Sequence, residues 1–142
     1  MTFENIKKLS SFLFSAAFIL AFYIIFYVSR QKKKLSDEDI LFFEKNIKPK
    51  ILKLLLLICI PTFFLLFHAL TNVGNINMTL ILICTIASVV FTTSAYLISR
   101  QIVYKTGRQK EYNYITHYLF IMGITQLVLM TAVTSLFLET VN

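Results

Sequence analysis

The chain has 142 residues, of which 57% are apolar and 15% charged, against about 25% charged residues in an ordinary globular protein. Three glycines and two prolines are too few for a disordered tail or a turn-rich β architecture, so helices are expected. The formal net charge of +7 would suit a polyanion, but the basic residues flank apolar runs, which argues for membrane orientation and against nucleic acid.

A polar lead with Glu4, Lys7 and Lys8 precedes the first apolar run, Leu9 to Val28. Twenty helical residues span about 30 Å, the thickness of the hydrocarbon layer. Ser29 and Arg30 then give way to Lys32, Lys33 and Lys34, with no small-residue cleavage site, so the segment is expected to stay as a helix.

Next comes a helix start, with Ser36 before Asp37, Glu38 and Asp39 in an S-x-x-D arrangement. Acids in a first turn also suit the helix dipole. Ile40, Phe43 and Ile47 fall on one face, with Glu44, Lys45 and Lys48 away from it. The pattern predicts an amphipathic helix over 37–48 lying at the cytoplasmic membrane surface. Pro49 suits the first turn of the following helix.

That helix is expected over 51–70, with Pro61 near its middle. A proline there removes one backbone hydrogen bond and crowds the preceding turn, so a kink is predicted at Pro61. The uncharged stretch from Thr71 to Asn77, containing Gly74, is short enough to close an antiparallel hairpin. A third helix follows over 78–99, and Thr85, Ser88, Thr92, Ala95 and Ser99 recur along it at three- and four-residue steps. Such a stripe lets helix backbones approach closely in lipid. A second basic loop, Arg100 to Asn113, leads to a fourth helix over 114–138. Its deepest strong polar group, Gln126, is expected to make an interhelical hydrogen bond contributing about 1 kcal/mol.

The predicted fold is therefore an all-α integral membrane protein, a four-transmembrane-helix bundle forming one domain over 1–142. The loops at Arg30 to Lys53 and Arg100 to Lys110 hold eight and four basic residues, the lead two, and the middle turn and C-terminal tail none. The positive-inside rule puts both basic loops in the cytoplasm and both termini outside. At an offset of seventy residues, eleven of seventy-two positions match, including Ser29-Arg30-Gln31 with Ser99-Arg100-Gln101. That pattern would follow from a duplicated helical hairpin with parallel repeats, or from convergent composition at membrane interfaces.

Motifs for chemistry are sparse. Cys59 and Cys84 lie inside apolar runs, too few and too deep for a disulfide framework. His68 and His117 belong to opposite ends of their helices, about 20 Å apart in depth, so no shared metal site is expected within a chain. All seven acids lie outside the spans, which disfavours a carboxylate proton relay. No phosphate loop, zinc motif or nucleophile elbow occurs. Neither a metal nor a cofactor is expected.

One constellation remains: Arg30, Arg100 and Tyr104 at the inner ends of helices one and three, with Arg108 beyond. If those ends meet they form an anion-binding mouth, since arginine presents forked donors; otherwise they contact anionic lipid headgroups. The layout resembles that of the small four-helix glutathione-transferase and eicosanoid enzymes of membranes, the MAPEG family. The resemblance covers length, outside termini, a long cytoplasmic first loop, and Arg100 followed by Tyr104 at the end of helix three. It implies trimers and a thiol conjugate bound near Arg100. The chain departs from that family's Asn and Glu-Tyr opening of the second helix, having Asn46 followed by Pro49 and Lys50.

Taken together, the residues lead to the expectation of a non-catalytic subunit or an oligomerising interaction or regulatory protein. Its partners would be anionic lipids, other membrane subunits or further copies of itself. The alternatives are a membrane-embedded transferase for an anionic amphipathic or thiol-conjugate substrate, and a small channel or transporter along the hydroxyl stripe.

Overall fold

A computed structural model of the chain describes residues 2–72, 75 and 77–141, without the side chains of Phe3 and of residues 137–141. The turn expected at Gly74 and the terminal Asn142 lie outside the described residues. What is described is helical, with no strand among the described residues: α1 Phe3–Lys32, α2 Asp37–Phe42, α3 Lys48–Thr71, α4 Met78–Lys105, α5 Gln109–Tyr112 and α6 Tyr114–Val141. Four helical runs are long and apolar enough to cross a membrane, each exceeding the roughly 20 residues that a bilayer requires.

The helix ends follow local chemistry. Ser36 caps α2 by accepting a hydrogen bond from Asp39 N–H at 3.2 Å, and Asn77 caps α4 by accepting from Thr79 N–H at 2.9 Å. Such caps satisfy amide donors that the first turn leaves free. α4 stops at Gly107, whose φ of +68° is left-handed and whose N–H donates to Tyr104 O; glycine adopts that conformation without steric cost.

The amphipathic helix expected over 37–48 is not a separate element. It is the head of one helical run from Asp37 to Thr71, joined to α3 by a π-helical turn, Phe43–Ile47. Lys48 N–H donates to Phe43 O across that wider turn, which eases the crowding that Pro49 would impose on a regular α turn. The apolar face also has another destination. Phe43 and Ile47 are buried in the protein core with Ile51, Val103, Tyr112 and Ile115, while Ile40 and Leu41 remain exposed. Further along α3, Pro61 is buried and the helix runs on through it.

Helix α6 is the hub, packing against α1, α3 and α4, and α3 packs against α4 as well. The four long helices thus form a rhomb whose short diagonal is α3–α6. Three edges, α1–α6, α6–α4 and α4–α3, are closed. On the fourth edge, α1 and α3 do not pack closely. A two-fold relation between the hairpins α1–α3 and α4–α6 would produce this pattern except there, because α4 and α6 pack closely and α1 and α3 do not.

The closed α4–α6 edge contains one very close approach. Gly123 on α6 lies directly against Thr92 on α4, so closely that a Cβ at Gly123 would come within 2.9 Å of Thr92 Cβ. The corresponding positions in the first hairpin are Lys53 and Phe22, both exposed. A missing side chain permits close helix approach; neither Lys53 nor Phe22 lines the open α1–α3 edge.

Candidate functional site

The basic loops are joined by a clasp. Ser36 Oγ donates to Asp39 Oδ2 at 2.7 Å while it caps the helix, which turns the Asp39 carboxylate toward the second loop. Arg108 Nη1 donates to Asp39 Oδ1, and Arg108 Nη2 reaches Glu38 Oε1 at 3.2 Å. The guanidinium lies 5.2 Å from the centre of the Phe42 ring. Beside it, Tyr112 Oη donates to Asp39 O at 2.8 Å, and its ring stacks on Phe42.

Charge-assisted forked bonds of this kind are among the stronger polar contacts. The Ser36 hydrogen bond is the largest influence holding the Asp39 carboxyl below its usual range; burial opposes it, and the Arg108 hydrogen bond and charge reinforce it. Arg108 is pushed further up by its bonds to Glu38 and Asp39. Its fork is thus occupied by two acids about seventy residues upstream, and it serves to hold the loops together.

The other three residues of the expected anion mouth do not all meet. α1 packs chiefly on α6, and Arg30 is not among the residues lining the cavity that holds Arg100. Arg100 and Tyr104 do share a cavity, of about 470 Å³, with Gln101, Lys105, Gln109 and Asn113 between the end of α4 and the start of α6. Arg100 leans over the Tyr96 ring at 5.9 Å, and Tyr104 is 72% exposed.

A larger cavity, about 670 Å³, occupies the open edge between α1 and α3. Its walls are apolar and come from five segments: Val28 of α1, Ile40 of α2, Phe43 of the π turn, Ile51 and Leu55 of α3, and Ile115 and Tyr118 of α6. Lys32, Lys33 and Lys48 stand at its basic end. Lys48 is ion-paired to Glu44, and Lys32 sits 5.2 Å from the centre of the Phe43 ring. Tyr114 also lines it; that residue is buried, and its hydroxyl has no hydrogen-bond partner among the described residues. An unmet buried hydroxyl costs about 1–3 kcal/mol.

Sequence reasoning missed this groove because each contributing stretch reads as ordinary apolar helix or stop-transfer lysine.

The residues expected to pack helices take distinct places. Ser88, Ala95 and Ser99 are wholly buried and Thr92 nearly so, all inside the chain against α3 and α6. Thr85 points outward and bonds to Ile81 O at 2.8 Å; the buried position one residue earlier is Cys84. The stripe is therefore consumed within one chain, and only Thr85 of the group faces outward. The hydroxyls of Thr62, Ser88 and Thr92 are enclosed and lack partners among the described residues. Gln126 is half-buried on α6.

The histidines also have local partners. His117 sits at the α1–α6 contact, with Tyr23 Oη 3.5 Å from its Nε2 and the Tyr27 ring centre 5.0 Å from its own. His68 Nδ1 lies 3.2 Å from Asn72 Nδ2. Among the described residues no three His, Cys, Asp or Glu side chains converge as metal ligands would.

No protein-family model matches the chain, and neither a curated protein nor a solved structure is similar to it.

Proposed function

We propose that this is a multi-pass membrane protein without catalytic machinery of its own, acting as a subunit or regulatory partner through its basic end. That end faces the cytoplasm, both termini lie outside, and the basic side chains engage anionic lipid headgroups. The observation that supports the reading is the segregation of charge: twelve of fourteen lysines and arginines belong to the two loops at one end, against Lys7 and Lys8 at the other. Such asymmetry orients membrane helices, and each basic side chain near an anionic surface contributes about 1 kcal/mol.

In this reading the head of the Asp37 to Thr71 run projects its exposed Ile40 and Leu41 toward the headgroup layer, while the Arg108 clasp fixes it to the second loop. The outward aromatic residues of α1, among them Phe12, Phe18 and Phe22, are exposed and face lipid or another membrane subunit. Single cysteines placed at Asn75 and Lys110, in a Cys59→Ala, Cys84→Ala background, test the orientation. An impermeant thiol reagent is expected to label the first in intact cells and the second only after permeabilisation. The reverse pattern would refute it. A native pull-down with mass spectrometry then separates a complex subunit from a self-sufficient protein.

A second reading, a transferase for an anionic thiol conjugate, draws on the cavity that holds Arg100 and Tyr104. Glutathione binding that is lost in Arg100→Ala would favour it.

A further inference from the structure

We infer that the groove between α1 and α3 binds one anionic phospholipid, with an acyl chain against its apolar wall and the headgroup on Lys32 and Lys33. The inference rests on the proposed orientation, in which the basic end meets the anionic leaflet. Two observations lead to it.

First, the groove is built into the bundle. The matching edge in the second hairpin is closed by Gly123 against Thr92, whereas this edge stays open with α6 as its floor. Its volume of about 670 Å³ falls within the roughly 300–1,000 Å³ of ordinary ligand sites.

Second, its polarity is graded along the membrane normal. Ile51, Leu55 and Tyr118 offer only apolar surface and a phenol to a chain, and the lysines stand together at the basic end. Lys48 already carries Glu44. No salt bridge engages Lys32 or Lys33 among the described residues, and Lys32 has only the Phe43 ring beside it, so these two are the cations whose charge is left to meet a phosphate.

A neutral lipid would satisfy the apolar wall but leave the lysines unmatched; an anionic one meets both.

The chain contains no tryptophan, so one can be introduced as a reporter. Tyr118→Trp places it in the groove, and Phe22→Trp places it on the outward face of α1, where Phe22 is exposed. Each variant is reconstituted into phosphatidylcholine vesicles containing a minor fraction of phosphatidylglycerol with brominated acyl chains, and then into vesicles in which the phosphatidylcholine is brominated instead. The groove reporter is expected to sense brominated phosphatidylglycerol enriched about fivefold or more over its bulk fraction, since one unscreened lysine alone shifts the equilibrium by about that factor. The outward reporter should sense much less.

Lys32→Gln with Lys33→Gln should abolish the groove excess, while Lys105→Gln with Lys110→Gln, which removes the same charge elsewhere, should leave it. Equal enrichment at both reporters would overturn the groove site while leaving a generally basic, lipid-attracting face. Absence of enrichment at either reporter would overturn both the site and the proposed headgroup role. Loss of the excess in both lysine pairs alike would also overturn the site, since bulk charge would then explain it.

Discussion

Replacing Gly123 by alanine tests the reasoning about the closed α4–α6 edge. The added methyl would overlap Thr92 Cγ2 and come within 2.7 Å of Thr92 Oγ1 and 2.9 Å of Thr92 Cβ. Rotation of the threonine can move the first two atoms, but Cβ is carried by the backbone of α4. The helices must therefore separate slightly, and overpacking of this kind costs about 1–3 kcal/mol.

Thr92→Ala alone should cost less than about 1 kcal/mol, because it removes packing together with a hydroxyl that has no partner among the described residues. The double variant removes two of the three close contacts and leaves the Cβ pair, so it should recover part of the Gly123→Ala loss. The non-additive part is expected at about 0.5–3 kcal/mol, as for residues in direct contact. Cys84 supplies the assay, since it is buried beside Leu65 and Met130. In a Cys59→Ala background its labelling by a thiol reagent, measured across a titration of sodium dodecyl sulfate into mild detergent, follows opening of the bundle. Unchanged protection in Gly123→Ala, or strict additivity in the double variant, would refute the claimed contact.

Thr85→Leu and Ser88→Leu should behave oppositely: the first faces outward and should leave Cys84 protection within about 0.5 kcal/mol, whereas the second forces a large side chain into a filled interface and should lower it by about 1–3 kcal/mol. The clasp predicts a pH dependence. Asp39 is held below its ordinary range in the folded protein, so its contribution is fully present above the usual carboxylate range and is lost as pH falls through its depressed value. Proteolysis within the 33–47 segment should accordingly accelerate in that acid window; Asp39→Asn should accelerate it at neutral pH and flatten the dependence. An unchanged acid profile in Asp39→Asn would place the titration elsewhere.

Much of the architecture was legible from the chain. Four apolar runs, each bounded by charge or by an uncharged turn, correspond to four helices long enough to span a bilayer, and the Ser36 cap lies where the S-x-x-D pattern placed it. Two readings changed. The 37–48 segment reads as a surface helix because Ile40, Phe43 and Ile47 share a face. Phe43 and Ile47 instead find Tyr112 and Ile115, and periodicity specifies that a face will be buried without saying by what. Arg108 reads as a free cation because its acids lie about seventy residues upstream, a separation that no local pattern reports.

By itself, the sequence determined the helical class, the number of membrane-length helices and the clustering of charge in two loops, because these depend on composition and on spacing within a single helix. Tertiary structure decided which helices touch. It left Arg30 outside the cavity that holds Arg100, paired Arg108 with Glu38 and Asp39, and turned the hydroxyl stripe inward. It also left the α1–α3 edge open. The physical reason is that helix pairing depends on the fit between distant surfaces: Gly123 lies directly against Thr92 on the closed α4–α6 edge, a meeting that no pattern within a single helix reports.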